Sequence, residues 1–267
     1  MAELRTVDLE TDSVSVIIPT WNSSRFILAT LDSVCAQTFP PLEILVCDDA
    51  STDETESLVS NYPDSRVRWL PAVKRAGLPG FSRNRGIAIA KGRWLAFLDH
   101  DDVWYPEKLN SQLAQIMRDG SQASSTEAWR FFPGHKRIEL LARKSTCLIS
   151  FETLLSCNYV VCSSALVHQS LFTKVGMFPN NILYQDYAMW LRISCYTDFS
   201  FVGLPLVRYR DDAEVSIRKN KTPELQRQLD VMVDFQSWLV GSSVHNKIYI
   251  EKLAKTRVEW LTSVFDN

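Results

Sequence analysis

The 267-residue chain has no Cys-x-x-Cys pair, no apolar run long enough to cross a bilayer, and no large excess of charge of one sign. Each absence excludes something. The six cysteines (Cys35, Cys47, Cys147, Cys157, Cys162, Cys195) are scattered, several in apolar surroundings where a thiol behaves as a small hydrophobe. That argues against a zinc or dithiol redox motif and for a reducing, cytoplasmic setting. The four histidines are equally sparse: His135, His168 and His245 form no metal-ligand spacing, and the His100 side chain should alternate away from the carboxylates beside it. A formal charge of −2 provides no global basic field, so nonspecific nucleic-acid binding is not expected. The residues through Ser13 are polar and acidic, without the basic and apolar regions of a signal peptide. There is no internal repeat or low-complexity tract. The expectation is a soluble or membrane-peripheral protein, cytoplasmic, with one large domain or one domain and an appendage.

What is present is a regular alternation. Val14-Ser15-Val16-Ile17-Ile18-Pro19 is apolar, β-branched and stopped by proline, which reads as a central strand. Ile27, Leu31, Val34 and Cys35 then recur at helical spacing. Glu43 to Cys47 is a second strand, and Ser51-Thr52-Asp53-Glu54 matches a capping box for the next helix. Val67 to Leu70 is a third strand, Ser82 to Lys91 a helix, and Trp94 to Leu98 a fourth strand. Such alternation predicts a mostly parallel sheet covered by helices, with a ligand crevice at the strands' carboxyl ends. Further on, Pro106 opens a helix, and Ala128–Phe132 with Arg137–Leu141 suggest a hairpin. Tyr159–Cys162 and Ala165–Val167 look like strands, Asp186 opens a helix, and Phe199–Tyr209 is a returning strand. Two amphipathic helices follow Pro223, carrying Leu225, Leu229, Met232, Val233 and Trp238, then Ile248, Leu253, Val258 and Leu261.

The fourth strand ends in Asp99-His100-Asp101-Asp102, and the second in Asp48-Asp49. Carboxylates crowded at a strand's end repel one another, and a divalent ion with hard oxygen ligands is their natural partner. Mn²⁺ or Mg²⁺ is therefore the expected cofactor, holding the diphosphate of a nucleotide-linked donor. Each residue also has a structural reading: Asp49 and Asp186 as helix caps, Asp101 and Asp102 as a solvated turn, Arg83 as an exposed helix start.

Taken together, five stretches resemble the family 2 glycosyltransferases of GT-A fold. They are Val14 to Asn22, Asp48 to Asp53, Ser82-Arg83-Asn84-Arg85-Gly86, Leu98 to Asp102, and Gln185-Asp186-Tyr187-Ala188-Met189-Trp190-Leu191-Arg192, and the likeness covers about residues 13 to 212. The resemblance implies a Rossmann-like, mostly parallel sheet flanked by helices. With the polar start and the change of character after Pro223, the chain divides into an N-terminal tail (1–13), a nucleotide-sugar-binding half (14–104), an acceptor-binding half (105–221) and a helical C-terminal extension (222–267), the two halves being named by the resemblance. The resemblance also implies that Pro19, Thr20 and Trp21 line the nucleobase pocket and that Asp49 hydrogen-bonds the base. Arg83 and Asp99 would contact the donor, Asp102 would lie near the donor sugar, Asp101 would bind the metal, and Asp186 would be the catalytic base. A positioned carboxylate contributes about 10²- to 10⁴-fold as a base, and a helix N-terminus would favour its ionised form.

The pattern is broken twice: Gln185 stands where the family has Glu, and Asp212 where it has His. The Gln-x-x-Arg-Trp signature of processive synthases is missing, which favours transfer of a single sugar. The expected reaction is metal-dependent, inverting transfer from a nucleotide sugar, UDP-linked by preference, to a hydroxyl of a glycan or lipid-linked saccharide. A noncatalytic sugar-nucleotide or glycan-binding module is the alternative. A nucleotidyltransferase is disfavoured because Pro19-Thr20-Trp21-Asn22 replaces its Gly-rich loop. Lys247, Lys252, Lys255 and Arg257, with Trp260 and Phe265, suit a membrane surface, the domain itself or a second subunit, so peripheral membrane contact and a homodimer both stay open.

Overall fold

A computed structural model of the chain describes residues 12–132, 138–141, 147–211, 222–242, 244 and 248–256. Its first half is built as the sequence predicts. Strands β1 (Val14–Thr20), β2 (Glu43–Asp48), β3 (Val67–Leu70) and β4 (Trp94–Phe97) are parallel, in the order β3-β2-β1-β4. Every residue of β1, β2 and β4 is buried, as in a sheet covered on both faces. Because side chains alternate along a strand, β1 feeds two cores. Ile17 joins Leu45, Leu95 and Phe97 on one face, while Val16 and Ile18 join Ile44, Val46 and Ala96 on the other. The second face is covered by α1 (Ile27–Cys35), whose Ile27, Leu31 and Val34 are buried; α3 (Pro79–Ile89) covers the first with Ile87.

The helix starts differ in detail. Helix α2 (Thr55–Ser60) begins without the expected capping box, since the Ser51 hydroxyl instead donates to Asp48 (2.5 Å). Asp53 takes over, accepting from Thr55 N (3.1 Å) and Ser24 N (3.0 Å). Helix α3 starts at Pro79, earlier than Ser82, because proline at a first helical position gives up no hydrogen bond. Pro106 does not do the same for α4 (Lys108–Asp119), which follows Glu107.

The second half extends the same sheet. Strands β5 (Val103–Trp104), β6 (Ala123–Phe131), β7 (Ile138–Leu140), β8 (Leu148–Ile149), β9 (Leu166–His168) and β10 (Phe199–Arg210) continue the order as β4-β9-β6-β10-β5, with β7 on β6 and β8 on β10. Strand β9 runs antiparallel between β4 and β6. Strand β6 is longer than its apolar pattern suggests because Ser124, Ser125 and Thr126 are buried strand residues, with Ser124 Oγ accepting from Gln112 (3.2 Å). The expected strand over Tyr159–Cys162 is instead irregular and ends in a 3-10 turn, Cys162–Ser164.

Helix α7 (Gln185–Ser194) is almost wholly buried, and α8 (Glu224–Gly241) packs on it through an Arg192–Asp234 ion pair (2.5 Å). The inward face of α8 is Val231, Met232, Phe235 and Leu239; Val233, expected inward, is exposed. A helix over 248–256 docks Leu253 into the core and pairs Lys252 with Glu152. Helices α5 (Phe151–Ser156) and α6 (Phe172–Val175) complete the cover. No helix among the described residues is long and apolar enough to cross a membrane. Lys247, Arg257, Val258, Trp260, Leu261 and Phe265, and the Asp212, His135 and His245 positions, lie outside the described residues.

Candidate active site

The carboxyl ends of β2, β1 and β4 lie side by side and place Asp49, Thr20 and Asp99 on one rim. The loops after β1 and β2 are cross-tied: Asn22 N donates to Ser51 Oγ (2.8 Å), and Asn22 Oδ1 accepts from Thr52 N (2.8 Å). Asn22 (φ 47°) and Ala50 (φ 60°) both sit in the left-handed region. Asn tolerates that conformation, while Ala adopts it at a cost of about 1 kcal/mol, so the surrounding bonds hold the rim in shape. Asp49 is no helix cap. Its two oxygens accept from Ala76 N (2.7 Å) and Gly77 N (2.8 Å), fastening the loop between β3 and α3 over the rim.

Arg83 is not an exposed helix start. It is 2% exposed, and its guanidinium pairs with Asp99 while Nε and Nη1 find no partner in the protein. Burial opposes its charge, and Cys162, Asp99 and Asp186 nearby more than offset that, leaving its pKa raised. Asp186, from the first turn of α7, thus acts on the same guanidinium as Asp99, from the end of β4. Gln185 is buried beside it, with Oε1 unpartnered.

Asp101 and Asp102 are no solvated turn either. The Asp101 carboxyl is pushed up by burial and by the charge of Asp99, against the pull of His100 and Arg210. Asp102 is 1% exposed, its Oδ1 accepting from Arg210 N (2.7 Å) and Oδ2 from Ser163 Oγ (2.5 Å). Both of its oxygens bind the protein, so it braces the acidic loop from within. Pro19 and Thr20 are likewise buried, Thr20 accepting from Asp49 N through its carbonyl (2.8 Å), whereas Trp21 is exposed and carries the Arg75 guanidinium on its ring, 3.4 Å from the centroid. Of the expected base-pocket residues, Trp21 is the side chain that is open to a ligand.

Among the described residues no group of three or more His, Cys, Asp or Glu is arranged to hold a metal unaided. The chemistry of the donor set still fits a hard divalent ion. Mg²⁺ and its kin commonly bind through one or two carboxylates and complete their shell with water and substrate phosphates. Asp101 is the carboxylate that would take that role, with Asp99 acting on it though paired to Arg83.

The sequence model of Glycosyl transferase family 2 matches residues 15–176. The chain belongs to this family. This family 2 glycosyltransferase is similar to two Escherichia coli proteins named UDP-Glc:alpha-D-GlcNAc-diphosphoundecaprenol beta-1,3-glucosyltransferases. WfgD is 32% identical over 83% of this chain and 86% of its own length, and WfaP is 32% identical over 88% and 89%. In structure it is similar to S. aureus TarS 1-349 crystallised with UDP-GlcNAc (TM-score 0.75, 20% identity, 91% of this chain and 71% of that one), which shows the GT-A fold. Membership makes the chain a glycosyltransferase and displaces the nucleotidyltransferase and binding-module readings.

The glycosyltransferase also has site residues that the motifs did not reveal. Arg75 reaches the rim from the loop after β3, and Ser163 ties it together, donating to Asp102 and accepting from Asp99 N (3.0 Å). Arg208 and Arg210 line a cleft together with Asp101. Their spacing of two along a strand, which places both on one face, was a signal available in the sequence.

Proposed function

We propose that the chain is a metal-dependent, inverting, nonprocessive glycosyltransferase that moves one sugar from a UDP-linked donor to a hydroxyl of a lipid-linked saccharide. One observation carries this reading: the buried Arg83 guanidinium pairs with Asp99 at the end of β4, and the charge of Asp186, from the first turn of α7, acts on the same guanidinium. The names of WfgD and WfaP make UDP-glucose and an N-acetylglucosamine diphospholipid the first substrates to try. Asp186 accepts the acceptor hydroxyl's proton as that oxygen bonds to the anomeric carbon, and the bond from this carbon to the diphosphate breaks on the opposite face, inverting the centre. Arg83 and Asp99 fix the donor's place, and Trp21 offers a ring to the base. Asp101 would hold a divalent ion, which would supply Lewis-acid stabilisation of the leaving diphosphate.

Replacing Asp186 by Asn tests the assignment. Turnover is expected to fall about 10²- to 10⁴-fold with the melting temperature nearly unchanged. Full turnover in a folded D186N protein would remove Asp186 as the base, and undiminished transfer after exhaustive chelation would remove the metal.

A further inference from the structure

Beside the acidic rim, on its α1 side, a cleft of about 240 Å³ has Arg25, Arg208 and Arg210 in its walls, together with Phe26, Phe131 and Asp101. Among the described residues that line it, three guanidiniums stand against one carboxylate. The arginines are braced on rings: Arg25 and Arg210 over Phe26 (5.4 and 4.4 Å to the centroid), Arg208 over Phe131 (4.0 Å). A guanidinium presents a planar fork of N–H donors that matches phosphate oxygens two at a time.

The frame beneath is fixed as well. Buried Asp102 holds the backbone N–H of Arg210, and Thr30 Oγ1 of α1 donates to His100 O (2.8 Å) and Asp102 O (2.9 Å). Helix α1, the Asp101 loop and the end of β10 are thus joined into one support. A volume of about 240 Å³ suits a compact polyanion.

We propose that this cleft grips a diphosphate directly through Arg25, Arg208 and Arg210, without requiring a metal ion. The inference rests on the function proposed above and deepens it, because under that reading both the nucleotide donor and the lipid-linked acceptor carry a diphosphate. Asp101 at one corner would hold the ion, and the arginines the oxygens the ion leaves free.

Titration calorimetry with inorganic pyrophosphate in EDTA tests the grip on wild type, R25Q, R208Q and the R25Q/R208Q double variant. Both side chains are exposed, so folding is not at stake. Each substitution is expected to weaken binding about tenfold, the loss typical of one charge-assisted contact. Absence of pyrophosphate binding by wild type, or equal binding by the double variant, overturns the proposal. Steady-state transfer from UDP-glucose to an N-acetylglucosamine diphospholipid separates the sources. A raised KM for the donor alone assigns the cleft to the nucleotide, and for the acceptor alone to the lipid diphosphate; no change in either overturns its place in the reaction. If wild type transfers no sugar yet the pyrophosphate result holds, the glycosyl-transfer reading fails and the site stands.

Discussion

The Arg83 guanidinium donates to Asp99 Oδ1, and the two ends of this ion pair differ in exposure: 2% for the arginine side chain and 32% for the aspartate. That asymmetry sets which partner is dispensable. Removing the arginine leaves a carboxylate that water can reach. Removing the aspartate leaves a buried guanidinium without its ion-pair partner. Breaking a buried pair in that way costs about 3–5 kcal/mol. D99N is therefore expected to lose about 3 kcal/mol in urea unfolding, and R83M less than half of that. Equal losses would mean that the pair is as solvated at Arg83 as at Asp99.

Much of this geometry was legible in the sequence, and the parts that were not share a cause. Val14 to Pro19 and Glu43 to Cys47 are buried on both faces, so their apolar runs announce strands whatever lies beyond them. The carboxylates follow because a strand's end fixes what comes next. Ser124 to Thr126 gave no such signal: hydroxyls become core residues only when distant partners such as Gln112 satisfy them, and that pairing belongs to tertiary structure. Asp102 belongs with them. Adjacent to Asp101, it looks equivalent on paper, yet the turn between β4 and β5 directs it inward to Ser163 and the Arg210 backbone, partners far off in sequence. Arg83 shows the converse, since a charged residue near a helix start is ordinarily solvated, and only its partners from β4 and α7 explain its burial.

Asp102 makes this distinction measurable. Burial first, then the charges of Asp101 and Asp99, push its carboxyl well above the usual range, so the site favours the neutral form. A group whose pKa is raised by folding stabilises fully below its unfolded value and loses that contribution as pH rises through the folded one. D102N, neutral and of the same shape, is expected to keep most of the wild-type stability near pH 5 and to gain on wild type as pH rises. D102A strands the Arg210 N–H and the Ser163 hydroxyl, at about 2 kcal/mol. Urea midpoints across pH 5 to 8 check both, and a D102N deficit that widens with pH would show that the ionised carboxylate is what the fold needs.

Asp53 has the opposite sign. It is partly desolvated, which raises its pKa, but hydrogen bonds from Thr55 and Ser24 outweigh this and bring it down from 3.8 to about 2. A carboxyl depressed by folding stabilises above its unfolded pKa and loses that contribution as pH falls through the folded one. The window is therefore pH 3.8 down to about 2. At pH 7 the D53A protein should be about 1 kcal/mol less stable, the usual cost of losing a side-chain acceptor at a helix start. The deficit should shrink steadily as both proteins are taken from pH 4 toward pH 2, because wild type then loses the ionised acceptor that the variant never had. The same bond from Ser24 N ties the loop after β1 to α2, so D53A should also loosen the Trp21 loop and speed amide exchange at Ser24. A deficit independent of pH would assign the effect to packing, and the charge of Asp53 would then have no part in holding the rim.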